Sequence, residues 1–208
     1  MIDEKDGHGE NIMIKNIIFD MGNVLLQFRP QVALDTFFDT QEDKELINKE
    51  LFMGPEWIMG DEGIITNEER YDRICPRIPQ RLHEQFKKCV EGWDTCLIPV
   101  PGADEFCREV KERGYGMYIL SNACNRFHHF FPREFEENYF DGVVVSSDIK
   151  IIKPNPAIYH YICKTYGLKP EECLFLDDRE ENVEAALGIG MEAEVFKGNW
   201  EDIRKRLG

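Results

Sequence analysis

A chain of 208 residues can bury a full core as one domain, or as one domain carrying a smaller inserted one. Its formal charge of −15 argues against a nucleic-acid or anionic-membrane binder, because phosphate backbones are held by lysine and arginine in excess. Seven cysteines without a Cys-x-x-Cys pair, no apolar run near the ~20 residues of a membrane span and no basic-then-apolar leader set the expectation of a reducing, cytoplasmic setting without structural zinc.

Residues 1–13 are mostly polar and read as a loose leader. The stretch 17–26, Ile-Ile-Phe-Asp-Met-Gly-Asn-Val-Leu-Leu, opens as a buried strand and breaks at Asp20 into a Gly-Asn turn, which delivers the carboxylate to a loop above a sheet. From about Gln31 to Leu97 the apolar residues keep helical spacing, as in Val32, Leu34, Phe37 and Phe38, or Leu82, Phe86, Cys89, Val90 and Trp93. Thr66-Asn67-Glu68-Glu69 reads as a helix start with a capping acid. No strand is expected in this stretch, and Met53, Trp57, Met59 and Trp93 read as core rather than ligand lining.

After Pro99 the pattern alternates. A helix over 103–113 stops at Gly114, strands are expected over 116–120, 143–145, 173–176 and 193–196, and helices over 156–166, 181–187 and 200–207. Short apolar strands separated by helices predict an α/β fold, a parallel sheet with helices on both faces and right-handed crossovers. The all-helical stretch 31–97 is then an insertion after the first strand.

In such sheets, ligands sit beyond the carboxyl ends of the strands. Asp20 ends the first strand, Ser121-Asn122 the second, Lys153-Pro154 follows the third and Asp177-Asp178 ends the fourth. Each alone fits a helix cap or a surface charge equally well. Falling together on one rim, they point to a site.

This order of residues resembles the haloacid dehalogenase superfamily, whose phosphatases carry an Asp after strand one, a Ser or Thr after strand two, a Lys before a later helix and an acidic pair after strand four. The Phe-Asp-x-Gly-Asn-Val opening, Ser121-Asn122 followed by Asn125-Arg126, and Lys153-Pro154 leading to Ile158-Tyr159 are similar to phosphatases of alpha-D-glucose 1-phosphate and related sugar phosphates. The resemblance implies a Rossmann-like core over 14–30 and 98–208 with a small helical cap over 31–97. It also implies a Mg²⁺-dependent phosphatase acting on a small phosphorylated metabolite, such as a hexose 1-phosphate. The acidic chain does not forbid this, since a bound cation and a few basic groups can reverse the field inside one cleft.

Phosphate monoesters hydrolyse so slowly that catalysis can approach ~10²¹-fold, and a covalent aspartyl-phosphate divides the problem. The resemblance assigns Asp20 as nucleophile and Lys153 and Ser121 as partners of the phosphoryl oxygens. Mg²⁺ would be held by Asp20, the Gly22 carbonyl and Asp178, with Asp177 in or next to that shell. Asn122 and Arg126 are further substrate-binding candidates, Asn182 a brace for the site, and Trp57 and Tyr159 candidates for specificity.

The chain departs from the pattern at Gly22, where most phosphatases of the superfamily carry a second Asp that moves protons. Losing that group costs about 10²–10⁴-fold, so the expected substrates are esters whose leaving group needs little protonation: anomeric sugar, aryl or acyl phosphates. Asp61 and Glu62 are possible replacements that also fit plain loop charges, and His128 and His129, set among phenylalanines, fit packing or surface roles. The alternatives are a metal-independent 2-haloacid dehalogenase and a non-catalytic domain binding a phosphometabolite or a protein. Oligomeric state is not legible.

Overall fold

The computed structural model describes residues 13–136 and 139–208, so the expected leader, apart from Met13, lies outside the described residues. In chain order, β1 (Asn16–Phe19) turns into β2 (Leu26–Phe28), followed by α1 (Pro30–Phe37), α2 (Gln41–Ile47), α3 (Pro55–Asp61), α4 (Asn67–Ile74) and α5 (His83–Gly92). The chain returns through β3 (Leu97–Pro99) to α6 (Ala103–Glu112), β4 (Gly116–Ser121), α7 (Phe127–Glu134), β5 (Gly142–Val145) and the short α8 (Ser146–Ile149). It ends with α9 (Pro156–Tyr166), β6 (Cys173–Asp177), α10 (Glu180–Gly188), β7 (Glu192–Val195) and α11 (Trp200–Leu207).

Five of the strands form one parallel sheet in the order β5-β4-β1-β6-β7, with β1 at its centre. Ile17, Ile18 and Phe19 are wholly buried because both faces of β1 are covered. Ile17 and Phe19 face a core shared with Phe106 and Val110 of α6 and Trp200 and Ile203 of α11. Ile18 faces the other core, built with Ile158 and Ile162 of α9 and Val183 and Ala186 of α10. Alternation along one strand thus feeds two hydrophobic layers. Among the described residues no helix is long and apolar enough to cross a membrane.

The helical stretch follows its local signals. Thr66 caps α4 as expected: its Oγ1 accepts the Glu69 N–H at 3.2 Å, and its own N–H donates to Glu69 Oε2 at 2.8 Å. The pairing of β2 with β3 was not expected. Leu26 opposes Pro99 and Phe28 opposes Leu97 in an antiparallel pair apart from the five-stranded sheet, so the two ends of the helical stretch lie side by side. Strands of three residues are too short to display a period of two.

Two further ties join the helical stretch to the sheet layer. At the end of α3, Ser146 Oγ donates to the Asp61 carbonyl at 2.5 Å, and Gly63 lies so close that a Cβ there would stand 2.3 Å from the Ser147 carbonyl oxygen. Past α5, the buried Asp94 carboxylate accepts from Arg126 Nε at 2.6 Å and from Arg133 on α7. Burial acts to raise the Asp94 pKa, but the two guanidinium groups outweigh it and hold the carboxyl below its ordinary value.

A carboxyl lowered by folding adds stability above its unfolded pKa and loses it as pH falls. Asp94→Asn should therefore cost about 2 kcal/mol at neutral pH, read as a lower urea midpoint with an unchanged slope. The gap from wild type should close below about pH 4.

Candidate active site

Asp20 continues the central strand by one residue, its N–H donating to Leu176 O at 2.8 Å, so the sheet itself fixes where the carboxylate stands. The chain then turns sharply, with the N–H groups of Leu25 and Leu26 both on Met21 O, at 3.0 and 2.9 Å. Asn23 takes the left-handed conformation, φ +56°, which asparagine tolerates better than most residues. Its amide donates to Asp178 Oδ2 at 2.8 Å while its Oδ1 accepts the Phe28 N–H at 3.1 Å. From the sequence Asn23 is a turn former within the opening motif. In the fold it ties the first loop to β2 and to the acidic pair.

Lys153 lies at the centre. Its Nζ is 2.8 Å from Asp20 Oδ1 and donates to Asp177 Oδ2 at 2.6 Å and to Leu120 O at 2.8 Å, with the side chain sealed from solvent. Asn122 holds the lysine backbone from both sides, its Nδ2 donating to Lys153 O at 3.0 Å and its Oδ1 accepting the Lys153 N–H at 2.8 Å. Asp177 is saturated: besides Lys153 it accepts Asn182 Nδ2 at 2.9 and 3.0 Å and the Arg179 N–H at 2.9 Å. Tyr159 OH donates to Asn182 O at 2.8 Å and steadies that asparagine in turn.

The electrostatics follow from this packing. Burial pushes the Asp20 carboxyl up, Lys153 pulls it down, Asp177 and Asp178 push it up again, and the balance stands at about 7. For Lys153 burial disfavours the charge, but Asp20 and Asp177 outweigh it and raise its hold on the proton.

Carboxylate oxygens of Asp20, Asp177 and Asp178 lie within 4.8 Å of one another. Because Asp177 is consumed by Lys153 and Asn182, Asp20 and Asp178 are the pair left to face a cation. A Cβ at Gly22 would sit 3.7 Å from Asp20 Oδ2, so a side chain at that position would stand beside the carboxylate, and glycine leaves that space free. Hard oxygen donors clustered this closely fit Mg²⁺.

Above Asp20 lies a cavity of about 400 Å³ lined from the sheet side by Asp20, Gly22, Asn23, Ser121, Lys153 and Asp178. The residues predicted from the strand ends therefore meet in one place. From the helical stretch come Trp57, Ile58 and Asp61 of α3 and Trp93, joined by Phe28, Leu97 and Phe130. Trp57 and Trp93 thus line a cavity as well as packing against each other, whereas Met53, expected in the core, is 75% exposed. Phe28 and Phe130 were not foreseen, because aromatic residues at core spacing carry no mark of the cavity they border.

Other candidates lie elsewhere. Arg126 is not among the lining residues: its guanidinium is spent on Asp94. Tyr159 is wholly buried behind Asn182, and Glu62 does not reach the cavity. His128 pairs with Asp148 at an exposed position, and His129 is exposed. Asp61 does line the cavity, contrary to its reading as a plain loop charge. Burial pushes its carboxyl up to about 7 against the pull of Arg70 and of the Cys124 N–H that donates to it.

The chain is similar to several known proteins. The chain is 29% identical over 181 residues to a sesquiterpene phosphatase of Aspergillus oryzae, covering 85% of this chain and 87% of that protein. It is 32% identical over 209 residues to a glyceraldehyde 3-phosphate phosphatase of Methanopyrus kandleri, covering 93% and 89%. A haloacid dehalogenase family enzyme of Bacteroides thetaiotaomicron, solved as a magnesium complex, superimposes with a TM-score of 0.73 at 25% identity, covering 92% of this chain and 98% of that one. The model of haloacid dehalogenase-like hydrolases matches residues 14–190, a span that takes in every strand of the sheet except β7, and the chain belongs to that family.

Proposed function

We propose that this hydrolase is a Mg²⁺-dependent phosphatase that cleaves a small phosphate monoester through an aspartyl-phosphate on Asp20, with the helical stretch 31–97 as its cap. The observation that carries the reading is the Asp20 carboxylate, held at 2.8 Å from a buried lysine at the end of the central strand, with Asp178 beside it. Two adjoining carboxylates that face a cavity suit a phosphatase that binds a cation, whereas a haloacid dehalogenase needs none. The seven thiols, all free and all buried except Cys75, support the reducing, cytoplasmic setting expected from the sequence.

In this reaction one Asp20 oxygen bonds to phosphorus as the ester P–O bond breaks, and water later attacks phosphorus to release phosphate and restore the carboxylate. Asp20, Asp178 and the Gly22 carbonyl would hold Mg²⁺, which would supply neutralising charge for the phosphoryl oxygens. Lys153 orients Asp20 and adds a second positive charge, itself fixed by Asp177, Leu120 O and the Asn122 amide. The Ser121 hydroxyl donates to a phosphoryl oxygen. Asp61 takes the proton-moving role left vacant at Gly22, since it lines the cavity from the cap side and its carbonyl is anchored by Ser146. A carboxyl poised near neutral pH can both donate to a leaving oxygen and later accept from water.

A hexose 1-phosphate is the ester that the sequence resemblance implies. Relatives named for glyceraldehyde 3-phosphate and for a sesquiterpene leave the organic half open.

Release of phosphate from p-nitrophenyl phosphate should require Mg²⁺, stop with EDTA, and fall about 10⁴-fold or more in Asp20→Asn. Metal-independent turnover, or a variant as active as wild type, would refute the mechanism. Asp61→Asn should lower kcat/KM by about 10²-fold on alkyl phosphates and by less than about tenfold on p-nitrophenyl phosphate, whose leaving group needs no proton. Equal losses on both would remove Asp61 as the acid.

A further inference from the structure

The cavity has two unlike halves. Around Asp20 and Lys153 it is polar. Away from them its wall is a set of packed rings: Phe28 from β2, Trp57 from α3, Trp93 past α5 and Phe130 from α7. Ring centroids are 5.3 Å apart for Phe28 and Trp57, 4.8 Å for Trp57 and Trp93, and 6.1 Å for Trp93 and Phe130. Ile58, 56% exposed, carries the apolar wall out to solvent.

Polar side chains on the lining are mostly committed already. Asn122 is spent on both backbone groups of Lys153, Asn23 on Asp178 and the Phe28 N–H, the Asn182 Nδ2 on Asp177 while its buried Oδ1 has no partner among the described residues, and Arg179 pairs with Glu181 at an exposed position. What remains free surrounds the phosphoryl position. The ring wall itself carries two polar groups, the indole N–H groups of Trp57 and Trp93, of which the Trp93 N–H is buried and has no partner among the described residues. A hexose placed there would lose water from several hydroxyls and find at most the two indole donors and no acceptor on the rings, and an unpaired buried hydroxyl is penalised. A hydrocarbon group would instead cover ring faces and gain from its own burial.

Resting on the phosphatase reading, we infer that the organic half of the substrate is an apolar hydrocarbon group, aromatic or aliphatic, rather than a polyhydroxylated sugar. The cap then selects by ring contact, with Trp57 and Ile58 as its specificity residues. The ~300–1,000 Å³ range of small-molecule pockets accommodates such an ester in this cavity.

The test uses ligands that cannot be hydrolysed, so that it does not depend on turnover. The wild-type protein with Mg²⁺ is titrated with hexylphosphonate, benzylphosphonate and the methylenephosphonate analogue of glucose 1-phosphate, followed by tryptophan fluorescence and calorimetry. The two apolar phosphonates should bind at least about tenfold more tightly than the sugar analogue, and Trp57→Ala should erase that ratio. Should Trp57→Ala fail to fold, Ile58→Asn, at an exposed position, should reduce the ratio instead. Equal or tighter binding of the sugar analogue overturns the inference. So does an unchanged ratio in the folded variant, or absent hexylphosphonate binding in protein that turns over p-nitrophenyl phosphate. Loss of the p-nitrophenyl phosphate reaction itself would count against the phosphatase reading and not against the apolar wall.

Discussion

A lysine ammonium sealed between two carboxylates is the interaction around which the strand ends are arranged. Lys153 is removed from water, and an ammonium buried without partners would neutralise itself or unfold its surroundings. Its three acceptors come from three neighbouring strands: Leu120 O from β4, Asp20 from the end of β1, and Asp177 from β6. Shifting any of these strands by one residue would turn its acceptor away, so the charge cluster and the sheet register enforce each other. Asn182, Asn122 and Tyr159 form the surround that keeps the lysine and its carboxylates in place.

The same cluster separates two carboxylates that are adjacent in sequence. Asp177 is closed, with every oxygen taken by Lys153, Asn182 or the Arg179 N–H. Asp178 is open, held by Asn23 and facing the cavity. One is a support for the lysine and the other can meet a cation. A pair that reads as a single acidic motif therefore splits into two roles, because the end of a buried strand points one carboxylate into the protein and the next toward the cleft.

The helical stretch completes what the sheet lacks. It is fastened by the β2 and β3 pair, by Ser146 on the Asp61 carbonyl, and by the buried Asp94 between Arg126 and Arg133. These ties hold Asp61 and the rings of Trp57 and Trp93 over Asp20. Arg70, buried and stacked 4.9 Å from the Trp57 ring centre, stiffens that side of the cleft. In the proposed reaction the missing acid at Gly22 and the selection of the organic group both fall to this stretch.

Sequence alone determined which polar side chains would stand at the strand ends. A strand buried on both faces must be a short apolar run, so its end is visible, and Asp20, Ser121, Lys153 and Asp177-Asp178 stand at or after such ends. The capping box at Thr66 and the helix stop at Gly114 were equally legible, because both are local. Tertiary structure decided which polar groups are spent on one another. Asn122 is engaged with the Lys153 backbone, Arg126 with Asp94, and Asn23 with Asp178 across 155 residues of chain. It also decided that Trp93 and Phe130 border a cavity while Met53 lies exposed on the surface. Hydrophobic periodicity reports which face of an element is buried, but a partner is set by distance in space, and residues far apart in sequence carry no local sign of the contact they will make.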